Sequence, residues 1–189
     1  MMFIETTRLK LIPLKHHQLL LFDKHWSELQ RVLGLNETVL KVDELVKADM
    51  HEALHHFWLP NTRQYPELYY WFTNWLVILK STNIAIGGIG FNGYPDDYGE
   101  TSIGYMIDEQ HRGHGYATES ASAICNWGFG FSILKHIKAD TGIHNLASQR
   151  VLLKAGFRKL EQKNDTIFYS LNKWASTSSQ LFNNPVRPL

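Results

Sequence analysis

Between Gln110 and Glu119 the chain carries QHRGHGYATE, with an arginine, two histidines and two glycines in its first six residues. An apolar stretch, TSIGYMID, precedes it, and a helix-spaced stretch, Tyr116–Phe131, follows. The start of a helix leaves its first N–H groups without internal partners and carries roughly half a positive charge. Gly113 and Gly115 let that backbone wrap closely around an anion without Cβ clashes, and Arg112 with the neighbouring His111 and His114 adds charge. The chemistry this suits is phosphate or pyrophosphate binding; a helix-start turn that merely uses glycine is the plain alternative. A nucleotide P-loop is not matched, because Tyr116 and Ala117 stand where Lys-Ser/Thr is needed. A dinucleotide fingerprint fails as well, because Thr118 occupies its last small position and hairpin strands come first.

The elements that must position this loop follow from periodicity. RLKLIPL (8–14) alternates as a strand, and from His16 to about Trp58 the apolar spacing turns helical, broken at LGLNET. LPNTRQYPELYYW reads as a proline-marked, aromatic-dense loop. YWFTNWLVILK and NIAIGGIGFNGY, separated by Ser81, Thr82 and Asn83, predict a hairpin, and the turn PDDYG leads into TSIGYMID as a third strand. HIKADTG predicts another strand, Asn145–Ala155 a helix capped at Gly156, and FRKLEQ and TIFYSLNK two closing strands. The expected organisation is a single domain over 1–174 and a polar tail over 175–189.

Composition bounds what the loop can serve. The 189 residues are 44% hydrophobic and 20% charged, with a formal net charge of +1. That is ordinary for one globular domain and gives no electrostatic footprint for nucleic acid. Cys125 is the one cysteine, which excludes an internal disulfide and suits a reducing cytosol. No signal peptide is read at the N-terminus, and no apolar run approaches the roughly 20 residues of a membrane span. The expectation is a soluble cytoplasmic protein with neither membrane nor nucleic-acid partner.

Gln110, Gly113 and Gly115 after an apolar strand form Q-x-x-G-x-G, which resembles the acyl-CoA pyrophosphate loop of the GNAT N-acetyltransferases. NLASQRVLLKAGF is similar to that family's N-x-x-S…K-x-G-F helix through Asn145, Ser148, Lys154, Gly156 and Phe157. RLKLIPL and IGGIGF resemble the branch of ribosomal-protein N-terminal acetyltransferases (RimJ/RimL-like). The resemblance, covering roughly 7–174, implies an α/β fold of α+β type, a mixed, mostly antiparallel sheet that splays open near its middle, flanked by helices. It implies acetyl-CoA as cosubstrate. The pantetheine arm would pair with backbone at Met106, Ile107 and Asp108. Gln110, Arg112, Gly113, His114, Gly115, Tyr116 and Ala117 would hold the rest of the coenzyme, with Asn145 beside it.

Acyl transfer to an amine needs a neutral amine, a donor for the oxyanion and a proton for the thiolate. Glu100 shares a strand face with Ser102 and Gly104, making it the candidate base through water, against a solvated charge as the plain reading. Relatives often place that glutamate at the position of Ser102. Many also use a tyrosine as acid, at a position held here by Leu152. Ser148, one turn earlier, resembles the RimL-like replacement; a helix-start hydroxyl bonded to backbone is its alternative. Cys125 reads as a small buried residue. His111 and His114 make no metal pair, and His16, His17, His55 and His56 read as surface histidines, so no metal is expected. The acidic turn Pro95–Glu100 and the aromatic stretch Tyr65–Trp75 are the candidate acceptor walls. The function expected is acetyl transfer to a protein N-terminal or small-molecule amine by direct attack. The alternative is a non-catalytic acyl-CoA-binding or interaction module on the same fold. A homodimer is left open.

Overall fold

The computed structural model describes residues 2–173. The polar tail expected over 175–189 lies outside the described residues. The chain opens with β1 (Ile4–Glu5) and β2 (Leu9–Pro13), followed by helices α1 (His16–Lys24) and α2 (Trp26–Val32). After an irregular segment come α3 (Glu44–Ala53), a π-helical turn (Leu54–Trp58), α4 (Leu59–Gln64) and a 3-10 turn (Pro66–Trp71). Then follow β3 (Trp75–Leu79), β4 (Ile84–Phe91), β5 (Glu100–Ile107), α5 (Tyr116–Gly128), β6 (His136–Gly142), α6 (Leu146–Lys154), β7 (Arg158–Lys163) and β8 (Thr166–Asn172). No helix among the described residues is long and apolar enough to cross a membrane.

The eight strands form one sheet in the order β1-β2-β3-β4-β5-β6-β8-β7. Every neighbouring pair is antiparallel except β5 and β6, which run parallel. That parallel pairing spans only Glu100–Ser102 against His136–Lys138. Beyond it β5 keeps pairing with β4 as far as Ile107, and β6 keeps pairing with β8 as far as Gly142. The sheet is therefore splayed: from Ile103 onward the β6-facing edge of β5 has no strand against it among the described residues.

Each sheet face has its own core, because the central strands are apolar on both sides. β3 is buried throughout and β2 everywhere but at Lys10, so Ile12 is 2% exposed although it alternates with Leu11. One face packs Leu9, Val77, Ile86 and Ile107 against Ala121 and Ile124 of α5 and Leu152 of α6. The other packs Ile12, Leu76 and Ile78 against Leu19 of α1 and Leu29 of α2. α5 ends at Gly128, three residues before the expected end. A Cβ there would lie 2.8 Å from the Phe91 ring, so the helix runs tight against β4.

The stretch read as a loop, 59–71, is instead α4 and a 3-10 turn. Pro60 and Pro66 both fall in first-turn positions, where a missing N–H is least costly. The widened π turn, closed by Leu59 N–H to Leu54 O, sits directly before Pro60 and accommodates its ring. Part of this stretch is core: Trp71 and Trp75 are fully buried, and Tyr70 and Trp71 pack with Trp127 and Phe131. Tyr65 is exposed and stacks on Phe72, which packs against Phe57.

Candidate active site

The loop between β5 and α5 begins with a short 3-10 turn, Glu109–His111. Gly113 and Gly115 both adopt φ +82°, the left-handed region that a side chain strains. A Cβ on Gly113 would project into open space, and one on Gly115 would come no closer than 3.5 Å, to Arg8 Nη2. The first backbone bond of α5 runs from Glu119 N–H to Gly115 O at 3.0 Å, so the amides of Tyr116, Ala117 and Thr118 have no acceptor inside the helix. The result is a concave run of donors with room in front of it, as an anion needs.

The side chains of this loop mostly brace it. Arg112 Nε donates to Ile107 O at 3.0 Å, and its Nη2 lies 3.6 Å from Asp43, so the guanidinium braces the loop while staying half exposed. His111 Nδ1 lies 3.2 Å from Asp108, and His114 Nδ1 donates to Arg112 O at 2.9 Å while its ring stacks on Tyr116. Gln110 N–H donates to Asp108 Oδ1 at 2.8 Å, and its side chain is exposed. Asp108 is 2% exposed and accepts from Lys41 N–H at 2.5 Å, so it stitches the loop to the segment before α3. Burial raises its pKa, but the amides of Lys41 and Gln110 and the adjoining His111 outweigh this and hold it below the usual carboxylate range.

A second brace went unread in the sequence. Glu119, in the first turn of α5, accepts from Thr6 Oγ1 (2.6 Å), Arg8 N–H (2.9 Å) and Arg8 Nε (2.7 Å). Arg8 Nη1 also donates to His114 O at 2.9 Å, and the guanidinium lies 4.6 Å over the Tyr116 ring. Burial raises the Glu119 pKa, yet the bonds from Thr6 and Arg8 together bring it below normal. An acid in a first helical turn was the available signal; its partners, more than a hundred residues away in the chain, were not readable.

Across the splay, Tyr105 of β5 reaches α6. Its hydroxyl lies 2.9 Å from Ser148 Oγ, either atom being able to donate, and 3.3 Å from Ser148 O. Burial raises the Tyr105 pKa, the bond to Ser148 opposes this, and nearby Tyr169 adds to the rise. Asn145 caps α6, accepting from Ser148 N–H at 3.0 Å. Leu152, at the position where relatives carry a tyrosine, is fully buried. Cys125 is 1% exposed, and burial pushes its thiol far above the ordinary value.

On the opposite side of β4 and β5 lies a cleft of about 520 Å³. Its floor is Gly88, Gly90, Gly104 and Met106, with Asn74 and Asn92 at the side; its roof is Asp49 and Met50 of α3 with Phe57 and Trp58 of the π turn. A Cβ on Gly88 would lie 2.3 Å from Asn74 Oδ1, so the glycine makes room for that amide. Glu100 lies on the same face of β5 but outside this lining, and its carboxylate is bound to Lys138 Nζ. The turn acids are likewise absent from the lining, and Asp96 instead accepts from the amides of Tyr98 and Glu100. The carboxylate in the cleft is Asp49.

Strand, glycine loop and helix around a splayed sheet define an acetyltransferase fold. The family described as acetyltransferase (GNAT) domain matches residues 8–158, and the chain belongs to it. An uncharacterised N-acetyltransferase of Bacillus subtilis, YjdG, is 36% identical over 86 residues, which is 46% of this chain and 51% of that protein. The chain thus spans about half the length of the curated relatives it matches. The ribosomal-protein-S5-alanine acetyltransferase of Vibrio fischeri superposes with a TM-score of 0.64 at 18% identity, over 92% of this chain and 97% of that one. RimL, a ribosomal L7/L12 α-N-protein acetyltransferase solved with coenzyme A, gives 0.62 at 18%, over 90% and 98%. At these identities the likeness is one of fold.

Proposed function

We propose that the chain acetylates primary amines from acetyl-CoA, by direct attack of the amine on the thioester. The observation that supports this most is the unpaired β5 edge, Ile103–Ile107, set between the donor-rich start of α5 and the Tyr105–Ser148 hydroxyl pair. The amides of Gly113–Ala117 suit the pyrophosphate, and the β6-facing edge at Ile103–Ile107 offers backbone groups to an amide-bearing arm, whereas the Asp108 amide is already bonded to Ile86 O and Ile107 O to Arg112. Asn145 serves indirectly, by holding the first turn of α6 and with it Ser148.

In the reaction a C–N bond replaces the C–S bond, the amine gives up one proton and the departing thiolate takes one. Ser148 Oγ–H supplies the thiolate proton or a hydrogen bond to sulfur, with the Tyr105 hydroxyl orienting it. Glu100 is committed to Lys138, so we assign the amine's proton to solvent. That choice discriminates between acceptors. An α-amino group titrates near pH 8 and a lysine side chain near 10.4, so roughly one in ten of the former is neutral at pH 7, against roughly one in 2,500 of the latter. The acceptor is therefore an N-terminal amine, or a small amine of similar basicity, drawn by Asp49 and held against the faces of Phe57 and Trp58.

Initial rates on two peptides test the acceptor class, one with a free N-terminus and no lysine, the other N-terminally blocked with an internal lysine. Faster turnover of the free N-terminus is expected. Faster turnover of the lysine peptide would overturn this assignment.

A further inference from the structure

Away from the loop and the cleft, α1 and α3 bring together three metal-ligating side chains. Asp23 stands near the end of α1, and His51 and His55 lie four residues apart, the second in the π turn. His55 Nε2 is 3.3 Å from Asp23 Oδ1, the two imidazoles are 4.4 Å apart at their centroids, and one ligand atom from each residue lies within 4.8 Å of the other two. Three ligand bonds of about 2.0–2.1 Å at tetrahedral angles put ligand atoms roughly 3.3 Å apart, so Asp23 and His55 already stand at that spacing. His51 is exposed and lies four residues before His55, with a ring nitrogen within 4.8 Å of the ligand atoms of both partners.

The surroundings suit an ion held at a protein surface with a dry back wall. Asp23 and His51 line a second cavity of about 280 Å³, whose other walls include Phe22, Trp26, Met50 and Leu54. The side chain of Asp23 is 17% exposed, so the carboxylate is partly withdrawn from water, where its charge acts most strongly on a cation. Lys47, the cation lining the same cavity, is paired with Glu44 at 2.6 Å. Two imidazoles and one carboxylate select a borderline transition metal over Mg²⁺ or Ca²⁺, which take oxygen sets.

We propose that Asp23, His51 and His55 bind one divalent transition metal, of the Zn²⁺ class, with a fourth position left to water. The ion ties α1 to α3 and the π turn. α3 and the π turn also carry Asp49, Met50 and Phe57 into the acceptor cleft, with Met50 lining both cavities, so occupancy stiffens the roof of that cleft. This departs from the expectation that His55 is an ordinary surface histidine without a carboxylate partner. The His51-x₃-His55 spacing was legible; the partner from α1 was not.

Calorimetric titration of the chelator-treated full chain with ZnCl₂ tests the proposal. One strong site per chain is expected in wild type and in His56→Ala. Asp23→Asn and His51→Ala, checked for native circular dichroism, should each bind at least tenfold more weakly. Zn²⁺ at about a hundredfold excess over its wild-type Kd should also raise the Tm of wild type by several degrees and that of Asp23→Asn by no more than about half as much. Wild-type affinity in Asp23→Asn, or no strong site in wild type, would overturn the assignment.

Discussion

Ser148 and Tyr105 meet across an opening in the sheet, Tyr105 held by the pairing of β5 with β4 and Ser148 by the Asn145 cap, and their hydroxyls stand 2.9 Å apart. Ser148→Ala should lower kcat about tenfold or more while leaving acetyl-CoA affinity nearly intact. Tyr105→Phe keeps the ring and removes the orienting bond, and is expected to lower kcat by a smaller factor. Steady-state kinetics paired with calorimetry separates the two roles, and a pure KM effect would assign Ser148 to binding. Cys125→Ala should stay within a few-fold of wild type, because a fully buried thiol with a raised pKa has no route to the thioester. Mass spectrometry that found acetylated Cys125 during turnover would contradict direct attack.

The glycine loop works as an element because it is held from two directions, by Asp108 toward Lys41 and by Glu119 toward Arg8. Gly113→Val and Gly115→Val force a branched side chain onto φ +82° and into the space facing the ligand. Acetyl-CoA affinity should fall at least tenfold, about 1.4 kcal/mol, in variants whose Tm confirms folding. Asp108 and Glu119 also give the brace a pH dependence. Both have folded pKa values below their unfolded ones, so their stabilisation is fully present above about pH 4 and is lost as pH falls through the lower folded values. Glu119→Gln should cost about 1 kcal/mol at pH 7, since Arg8 is 44% exposed and its pairing is screened. It should also flatten the acid side of the Tm–pH curve. The strand and helix positions around this loop were legible, because period-2 and period-3.6 patterns are local. Asp108 and Glu119 were not, because their value lies in partners brought in by the fold. The 59–71 stretch misled for a related reason. Prolines mark a loop only when they interrupt a helix, and here they fall in first turns.

At the scale of the whole molecule, the splay opens along the β6-facing edge of β5 and the cleft lies over one face of β4 and β5, so both are bordered by Gly104–Met106. The acidic turn that the sequence singled out lies outside the lining of the cleft, in which the carboxylate is Asp49. Asp49→Asn should raise KM for a cationic acceptor severalfold at low salt, less at high salt, and leave KM for acetyl-CoA unchanged. Within the aromatic stretch Trp71 and Trp75 belong to the core, while Phe57 and Trp58, on a π turn that no periodicity announces, line the cleft.

We propose that this fold, with this loop, performs chemistry rather than only holding a coenzyme. Release of free thiol from acetyl-CoA, followed with and without an N-terminal-amine peptide, tests it most directly. Amine-dependent release by wild type is predicted, matched by N-acetylated peptide and reduced at least tenfold in Gly115→Val at limiting acetyl-CoA. Tight coenzyme binding with no amine-dependent thiol release across a panel of peptide N-termini and small amines would contradict the account.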